Sequence, residues 1–283
     1  MTRLLVTGCH GQLGRALLDE AATRDLPADG CDVDTVDITD SASVRTLLAD
    51  LRPTVVINCA AMTDVDGCET QPERADEVNG RAVGHLAAEA ASAGCLLVQI
   101  STDYVFSGVA ERPWTEQDPP APMSAYGRSK LLGEKLARRA PDHLIVRTAW
   151  LFGHGGRNFV EAILGQLEAG SRELRVVADQ RGCPTYAPDL ASAILDLVNV
   201  GARGTVHAVN DGATTWHGFA SAIVELMENP AAVRPVTTRE FPRPARRPEF
   251  SVLDTTLLRS LIGRGLPGWR DALERYLEVR CAS

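Results

Sequence analysis

Near its amino terminus the chain reads Leu4-Leu5-Val6-Thr7-Gly8-Cys9-His10-Gly11-Gln12-Leu13-Gly14. The apolar residues before Gly8 predict a buried strand, and the glycines at positions 8, 11 and 14 predict a tight turn from that strand into a helix. Because glycine has no side chain, the backbone of such a turn can approach a pyrophosphate at the helix N-terminus. Residues 15–24 have the helical pattern that this interpretation requires. The loop therefore predicts a bound dinucleotide, with a GxxGxxG spacing that differs from the GxGxxG fingerprint.

Short apolar runs alternate with amphipathic stretches through the first half of the sequence. Strands are predicted at residues 3–7, 54–60, 96–101, 144–149 and 205–209, and helices at residues 12–24, 41–51, 72–93 and 124–140. This alternation is typical of βαβ units in a doubly wound parallel sheet, a Rossmann-like α/β fold. The second strand is poorly patterned, since residues 29–34 are mostly polar. We place it before Asp32 because the fold requires a strand there.

The sequence changes character after Gly153. Further helices are predicted at residues 158–167, 216–227, 255–262 and 269–279, and residues 241–248 are rich in proline and arginine. These segments predict a smaller, discontinuous substrate lobe. The predicted division assigns residues 1–153 plus 173–210 to a dinucleotide-binding domain and residues 154–172 plus 211–283 to the substrate (nucleotide-sugar) lobe.

Composition and charge exclude several classes of function. The net charge of −8 argues against binding to nucleic acid or to an anionic membrane, which need basic faces. No apolar run approaches the ~20 residues of a membrane span, and Met1-Thr2-Arg3 leads straight into the first strand without a secretory segment. The seven cysteines are scattered without a CxxC pair, and no HxxxH spacing is present. We therefore expect a cytoplasmic protein without a bound metal.

The stretch Tyr126-Gly127-Arg128-Ser129-Lys130 places a tyrosine and a lysine on one face of a helix. Reduction of a ketone requires a hydride at carbon and a proton at oxygen. Tyr126 is suited to donate that proton if the charge of Lys130 lowers its pKa toward neutrality. Thr102 follows a buried strand at the edge where ligands bind in parallel sheets, and can hydrogen-bond the carbonyl. With the glycine loop upstream, these residues predict a reductase that uses a nicotinamide cofactor.

The sequence leaves the choice between NADH and NADPH open. Asp32 can accept a hydrogen bond from the adenosine ribose, and a carboxylate there would repel the 2′-phosphate of NADPH. Asp37 and Ile38 can frame the adenine. Val33 follows Asp32 where an arginine could have received that phosphate, and Arg24 is the nearest alternative.

With its C-terminal half, this pattern closely resembles the dTDP-4-dehydrorhamnose reductase family of extended short-chain dehydrogenases, essentially from end to end. The resemblance rests on blocks at residues 11–14, 51–53, 58–66, 101–106, 126–130, 147–150, 179–185 and 246–254. The most specific blocks are Thr102-Asp103-Tyr104-Val105-Phe106 and Arg247-Pro248. The resemblance implies reduction of the C4 ketone of a dTDP-4-keto-6-deoxyhexose by NAD(P)H, with dTDP-4-dehydrorhamnose as substrate and dTDP-rhamnose as product.

The resemblance also implies roles for individual residues. The catalytic residues would be Thr102, Tyr126 and Lys130. The substrate would contact Val65, Thr102, Asp103, Tyr126, Trp150 and Arg247. With the residues already named from the loop and the ribose, the predicted cofactor-binding set is Gly8, His10, Gly11, Gln12, Leu13, Asp32, Asp37, Ile38, Ala60, Ala61, Met62, Thr63, Tyr126 and Lys130. To bind the substrate diphosphate, this acidic protein also needs a group of basic side chains. The best candidates are Arg243, Arg246 and Arg247, and Arg247 is the first choice.

The chain departs from the family pattern in two ways. Some members are described as binding a divalent cation through acidic residues at a subunit contact, but Arg15-Ala16 and Pro188 stand here instead. We therefore expect no metal, and a monomer or weak homodimer. Met62 replaces a commoner histidine beside the cofactor, which could shift cofactor preference.

Two other functions remain open. One is a sibling 4-ketoreductase that acts on another dTDP-deoxysugar in secondary metabolism, since the sequence does not determine the stereochemistry of the sugar. The other is a regulatory subunit that binds the dinucleotide without catalysis, although such a subunit need not keep Tyr126 and Lys130. A dehydratase is disfavoured, because an Asp-Glu pair would follow the threonine where Asp103-Tyr104 stand here.

Overall fold

The computed structural model describes residues 2–282 and has a central sheet of six parallel strands. The strands of the described chain are β1 (Leu4–Thr7), β2 (Ala28–Cys31), β3 (Val55–Asn58), β4 (Leu96–Thr102), β5 (His143–Thr148), β6 (Leu151–Phe152), β7 (Glu173–Val177), β8 (Arg181–Gly182), β9 (Thr185–Tyr186), β10 (Gly204–His207), β11 (Thr214–Thr215) and β12 (Ala232–Val236). The central sheet has the order β10-β5-β4-β3-β1-β2. The five apolar strands predicted from the sequence are confirmed as β1, β3, β4, β5 and β10.

Strand β2 ends immediately before Asp32, where the fold required a strand. It pairs with β1 alone, from Leu4 opposite Ala28 to Thr7 opposite Cys31, and forms an edge of the sheet. Of its four residues only Cys31 is buried. A strand that is covered so little does not need a continuous apolar run, which explains why its sequence is polar.

Helices cover both faces of the central sheet. The described helices are α1 (Gln12–Thr23), α2 (Ser41–Leu51), α3 (Val65–Thr70), α4 (Pro72–Asp76), α5 (Ala82–Ala93), α6 (Ala125–Ala137), α7 (Phe159–Glu168), α8 (Ala187–Asn199), α9 (Trp216–Leu226), α10 (Thr256–Ile262) and α11 (Trp269–Ala282). Leu4 and Val6 of β1 pack in one core with α1 and α8, whereas Leu5 packs in a second core with α2 and α5. This alternation confirms the doubly wound sheet. Helix α8, which completes one face, is absent from the helices predicted from sequence.

The predicted helix at residues 72–93 is interrupted by a π-helical turn, Glu77–Arg81, between α4 and α5. Asn79 in this turn is 1% exposed. Its Oδ1 accepts from the Met62 backbone N–H at 2.8 Å, and its Nδ2 donates to the Ser129 hydroxyl at 3.0 Å. The π turn thus connects the loop after β3 to α6, consistent with the frequent occurrence of such turns at functional sites.

A second group of elements packs on a separate core around Phe152, Phe219 and Tyr276. It includes α7, α9, α11 and the parallel pair of β7 with β12. The predicted domain boundaries stay a prediction. The side-chain packing would move β7 to the substrate lobe and α10 to the sheet, since Leu174 and Val176 lie in the lobe core and Leu258 lies in the sheet core.

The strand order reverses at β1, which has β2 on one side and β3 on the other. In open α/β sheets ligands bind at such a switch point, outside the carboxyl ends of the strands. A cavity of about 1040 Å³ lies there, between the sheet and the lobe core. Within residues 2–282, no helix combines the length and apolar character needed to cross a bilayer.

Candidate active site

The cavity brings together most of the residues predicted from the sequence. Of the predicted cofactor set, those that line it are Gly8, Gly11, Gln12, Leu13, Asp32, Asp37, Ile38, Ala60, Ala61, Thr63, Tyr126 and Lys130. All six predicted substrate contacts line it as well. Two residues lie off the wall: His10 has a 59% exposed side chain beside Asp32, and Met62, like Tyr126, packs against a small core.

The glycine loop has a backbone that only glycine permits at two positions. Gly8 has a φ of +64°, and a Cβ on it would lie 2.7 Å from the Ala60 nitrogen. A Cβ on Gly14 would overlap the carbonyl oxygen of Gly8. At Gly11, in contrast, a Cβ would meet only the Gly8 oxygen at 3.3 Å. A side chain there would require only a small shift of the Gly8 carbonyl, so the open space above Gly11 fits a ligand, as does the N-terminus of α1, which no side chain caps.

Acidic side chains shape the adenosine end of the cavity. Asp32 accepts from the backbone N–H of His10 at 2.9 Å and of Val33 at 2.8 Å, so its carboxylate also holds the glycine loop. Asp37 accepts from the backbone and hydroxyl of Thr39, and these hydrogen bonds lower the pKa of its carboxyl. Both carboxylates remain at the cavity wall, in reach of a ribose or an adenine.

Arg24 does not serve as the alternative phosphate ligand that the sequence offered. Its guanidinium is paired with Glu20 and Asp196, each at 2.7 Å, outside the cavity. Arg74, which the sequence reasoning missed, lines the cavity and lies close enough to Asp37 to lower the pKa of that carboxyl. Position 74 falls inside a predicted helix, so only the tertiary structure reveals that its side chain reaches the adenosine end.

One group of side chains in residues 2–282 has the spacing of metal ligands. The ligand atoms of Cys9, His10 and Asp32 lie within 4.8 Å of one another. Burial raises the pKa of the Cys9 thiol, which disfavours the thiolate that binds metals. Asp32 is also engaged by the backbone of the glycine loop. These properties suit a structural role in the loop.

Tyr126 and Lys130 lie on α6, which begins where the Ser124 hydroxyl accepts from the Gly127 N–H at 3.1 Å. Lys130 is 5% exposed and donates from Nζ to the carbonyl oxygen of Ile100 at 2.7 Å. Burial lowers the pKa of its ammonium to about 8. Burial also raises the pKa of the Tyr126 phenol, and hydrogen bonding to Thr102 offsets only part of this rise.

The expectation that Lys130 lowers the pKa of Tyr126 toward neutrality is therefore wrong in this structure. The Lys130 ammonium is turned to the Ile100 carbonyl, and burial dominates the environment of the phenol. Tyr126 is therefore protonated at neutral pH, as an ordinary phenol is, and can serve as a proton donor. The raised pKa makes it a weaker acid than the sequence reasoning required.

Thr102 ends β4 and shares its hydroxyl with its neighbours. It donates to Asp103 Oδ1 at 2.9 Å and accepts from the Tyr104 N–H at 3.2 Å. Asp103 is 1% exposed, and burial raises the pKa of its carboxyl to about 6. Within the described chain its second oxygen, Oδ2, has no hydrogen-bond partner at normal geometry, although the Ser251 hydroxyl interacts with the carboxyl and offsets part of the rise in its pKa. An unpaired buried carboxylate oxygen is costly, and since Asp103 lines the cavity, a ligand hydroxyl can supply the missing partner.

Trp150 lies in the left-handed backbone region with a φ of +44°, which is rare for a bulky residue. Its ring stacks on Trp216 with centroids 3.5 Å apart and planes 4° apart. Trp216 Nε1 donates to the Gln180 side chain at 3.1 Å, and Gly182 leaves the room that Trp150 occupies. Trp216 also lines the cavity, and the sequence marked it only as the start of a helix.

Arginine residues from the proline-rich stretch reach the same cavity. Arg243 and Arg247 line it, whereas Arg246 is exposed outside its wall. Arg247 pairs with Asp66 at 2.9 Å and donates to the Tyr104 hydroxyl at 3.5 Å. The substrate end of the cavity thus has two arginines that share one carboxylate, Asp66.

A buried ion pair beneath the catalytic helix also escaped the sequence reasoning. Glu134, one turn after Lys130, accepts two hydrogen bonds from Arg147 of β5, each at 2.8 Å, and one from the Ser101 hydroxyl at 2.7 Å. Glu134 is 0% and Arg147 1% exposed. This pair attaches α6 to β4 and β5 and so helps to fix the position of α6, which carries Tyr126, relative to the strand ends.

The fold and this arrangement are those of short-chain dehydrogenases/reductases. Comparison with known proteins assigns the chain to one family within this class. Residues 1–281 match the family described as the RmlD substrate binding domain, and the chain belongs to that family.

Individual relatives match over nearly their whole length. The chain is 42% identical to the dTDP-4-dehydrorhamnose reductase of Streptomyces griseus over 99% of the chain and 94% of the relative. It is also 42% identical, over 99% of the chain and 96% of the relative, to a Streptomyces antibioticus protein named "Probable dTDP-4,6-dihydroxy-2-methyloxan-3-one 4-ketoreductase". A crystal structure of dTDP-4-dehydrorhamnose reductase from Bacillus anthracis in complex with NADP is 36% identical, with a TM-score of 0.95 over 99% of this chain and 100% of that one.

Proposed function

We propose that the protein reduces the C4 ketone of a dTDP-4-keto-6-deoxyhexose with NAD(P)H, taking dTDP-4-dehydrorhamnose to dTDP-rhamnose. The observation that carries the proposal is the position of Thr102, Tyr126 and Lys130 in one cavity with the glycine loop. Proton donor, carbonyl-binding hydroxyl and dinucleotide cradle then face a common space. Relatives with dTDP-4-dehydrorhamnose reductase activity in their names match the chain from end to end, which supports the same substrate class.

The glycine loop, Asp32, Asp37 and the loop after β3 would hold the dinucleotide. When bound, the cofactor supplies the hydride. Tyr126, protonated at neutral pH, then donates its proton to the C4 oxygen, and the Thr102 hydroxyl orients that oxygen. Lys130 lies one turn along α6 and, as the resemblance implies, would bind the nicotinamide ribose with the ammonium that donates to the Ile100 carbonyl in this structure.

At the sugar end, Asp103 would accept from a hydroxyl through its free Oδ2, and Trp150 would cover one face of the ring. Val65 completes that side of the wall. Arg247 would receive the diphosphate, because its fork of N–H donors matches phosphate oxygens. These roles combine the resemblance with the side chains that line the cavity.

For cofactor choice, Arg74 is the cation best placed to favour NADPH. It lies beside Asp37 at the adenosine end, whereas Arg24 is engaged elsewhere. Asp32 opposes that preference by its charge. Both cofactors therefore belong in any assay.

The test is turnover with NADH and with NADPH on a panel of dTDP-4-keto-6-deoxysugars, with the product identified by NMR. Formation of dTDP-rhamnose from dTDP-4-dehydrorhamnose supports the proposal. The second candidate is a sibling 4-ketoreductase, which the 42% identity to the Streptomyces antibioticus protein favours. In that case another keto sugar on the panel would be reduced faster. Dinucleotide binding without turnover of any sugar would contradict both.

We also propose a cytoplasmic enzyme that is a monomer or weak homodimer and binds neither nucleic acid nor membranes. The net charge of −8 and the free state of all seven cysteines support these proposals. Sedimentation over a range of protein concentrations would test the oligomeric state.

A further inference from the structure

Asp66 joins α3 to the proline- and arginine-rich strap, which we define as residues 241–248. Its Oδ2 lies 2.9 Å from Arg247 Nη2 and 3.9 Å from Arg243 Nη1. Its Oδ1 accepts from the backbone N–H of Ala245 at 3.1 Å. The strap is therefore held against α3 by one carboxylate, through two charged contacts and one backbone hydrogen bond.

Both arginines line the cavity, and Arg247 lies close to the proton donor. The Arg247 guanidinium lies 6.0 Å from the centre of the Tyr104 ring, and that ring packs edge-on against Tyr126 with centroids 5.6 Å apart. Arg247 is thus separated from the catalytic phenol by a single aromatic ring. An anionic group carried on C1 of a sugar whose C4 oxygen meets Tyr126 would arrive at this guanidinium.

Asp66 places a negative charge 2.9 Å from the guanidinium that such an anion would need. The side chains of Asp66 and Arg247 are only 23% and 18% exposed, so the pair is partly shielded from water and a second anion cannot approach it without feeling the carboxylate. A diphosphate at Arg247 must therefore share the guanidinium with this carboxylate or displace it.

We propose that Asp66 is a built-in competitor of the substrate diphosphate: it neutralises Arg247 and Arg243 until the nucleotide sugar binds and displaces it. The inference rests on the proposed function, because it takes the ligand to be a diphosphate. Its consequence is an affinity for nucleoside diphosphates that is lower than the two arginines alone would give. The charge of the carboxylate also keeps smaller anions, such as inorganic phosphate, from settling on the strap.

The test is Asp66→Asn, which removes the charge but keeps an oxygen that can accept from Ala245. We expect dTDP, titrated by calorimetry without cofactor, to bind roughly 5-fold more tightly to this variant, since one nearby like charge is gone. Glu73→Gln on α4 is the matched control: it makes the same change in net charge at an exposed residue outside the cavity wall, and dTDP affinity should stay within about 2-fold of the wild type, near the scatter of surface charge effects.

A double-mutant cycle with Arg247→Ala isolates the competition. If Asp66 acts through Arg247, the gain from Asp66→Asn disappears in the Arg247→Ala background. Equal or weaker dTDP binding by Asp66→Asn would show that Asp66 only positions the strap and would overturn the inference, while reduction of the sugar by the wild type would still stand. If Arg247→Ala left dTDP affinity unchanged, the diphosphate would bind elsewhere and the inference would fail on that ground. Thermal unfolding of each variant verifies that it is folded.

Discussion

At the scale of single residues, chemistry at the site depends on a phenol that stays protonated. Tyr126→Phe removes the hydroxyl and leaves the ring that packs against Tyr104. We expect a loss of turnover of about 10²–10⁴-fold, the usual value of general acid catalysis, with cofactor affinity unchanged. Steady-state kinetics and a fluorescence titration with NADPH measure the two quantities. Near-wild-type kcat would show that the proton comes from another group.

Asp103 gives a prediction about pH. Burial raises the pKa of its carboxyl to about 6, so the carboxylate that accepts from a sugar hydroxyl is fully formed only above that pH. We expect KM for the dTDP-sugar to rise as the pH falls from 7 to 5. In Asp103→Asn, which cannot ionise, KM should be higher at pH 7 and should vary little over the same range. A variant that kept the wild-type pH dependence of KM would assign the titration to a different residue.

At the scale of elements, the glycine loop and the N-terminus of α1 together form the predicted pyrophosphate site. Gly11→Val places branched carbons in the space above the α1 N-terminus, where a Cβ would meet only the Gly8 oxygen at 3.3 Å. We therefore expect NADPH binding to fail while the melting temperature falls only modestly. Gly165→Val is the control, since nothing lies within 4 Å of a Cβ on that exposed position of α7. Normal NADPH affinity in Gly11→Val would move the pyrophosphate away from this loop.

The attachment of α6 to the sheet depends on the buried pair of Glu134 and Arg147. Arg147→Met leaves the buried Glu134 carboxylate with the Ser101 hydroxyl and the longer contact to Arg138 at 3.5 Å, and we expect the free energy of unfolding to fall by about 3–5 kcal/mol. Replacing both, with Glu134→Leu and Arg147→Met, should restore much of that loss because no uncompensated charge remains. Chemical denaturation measures each variant. A single variant as stable as the wild type would mean that water or another group compensates the carboxylate.

At the scale of the whole molecule, a buried histidine makes the free energy of unfolding depend on pH. His207 is 0% exposed, and burial, together with the charge of Arg147, lowers the pKa of its imidazole to about 4 from its ordinary 6.5. Between pH 6.5 and 4 the unfolded chain therefore takes up a proton that the folded protein refuses, so the free energy of unfolding contributed by this group decreases as the pH falls. We expect His207→Gln to show a shallower loss of stability over that window in denaturation experiments. An unchanged slope would assign the loss to carboxylates instead.

Much of the architecture follows from local pattern. The apolar strands, the glycine loop and the Ser124 cap could be predicted because each depends on residues close in sequence. Strand β2 could be placed only by the requirement of the fold. The two-residue strands β6, β8, β9 and β11 could not be predicted, since each exists only through pairing with a distant partner.

The site residues also divide into those that local sequence predicts and those that only the folded structure reveals. Tyr126, Lys130 and Thr102 were identified from spacing and from strand ends, and they face one cavity. Trp216, Arg74 and Asp66 were missed because their importance arises from contacts across the fold. The direction of the Tyr126 pKa was also missed, since burial in the folded protein, which spacing does not reveal, outweighs the neighbouring charge.

The arginines that line the cavity have a consequence for the rate at which ligands arrive. Arg74, Arg157, Arg175, Arg243 and Arg247 all lie at its wall, in a protein whose net charge is −8. With Lys130, six cationic side chains line the cavity against the four carboxylates of Asp32, Asp37, Asp66 and Asp103, so the wall carries a small positive excess while the rest of the protein is anionic. Such a field orients an approaching polyanion during diffusion and hastens productive encounters, and dissolved salt weakens it over about 8 Å at physiological ionic strength. The two ligands of the proposed reaction, a dinucleotide and a nucleotide sugar, are both polyanions, so the same electrostatic attraction increases the association rate of both.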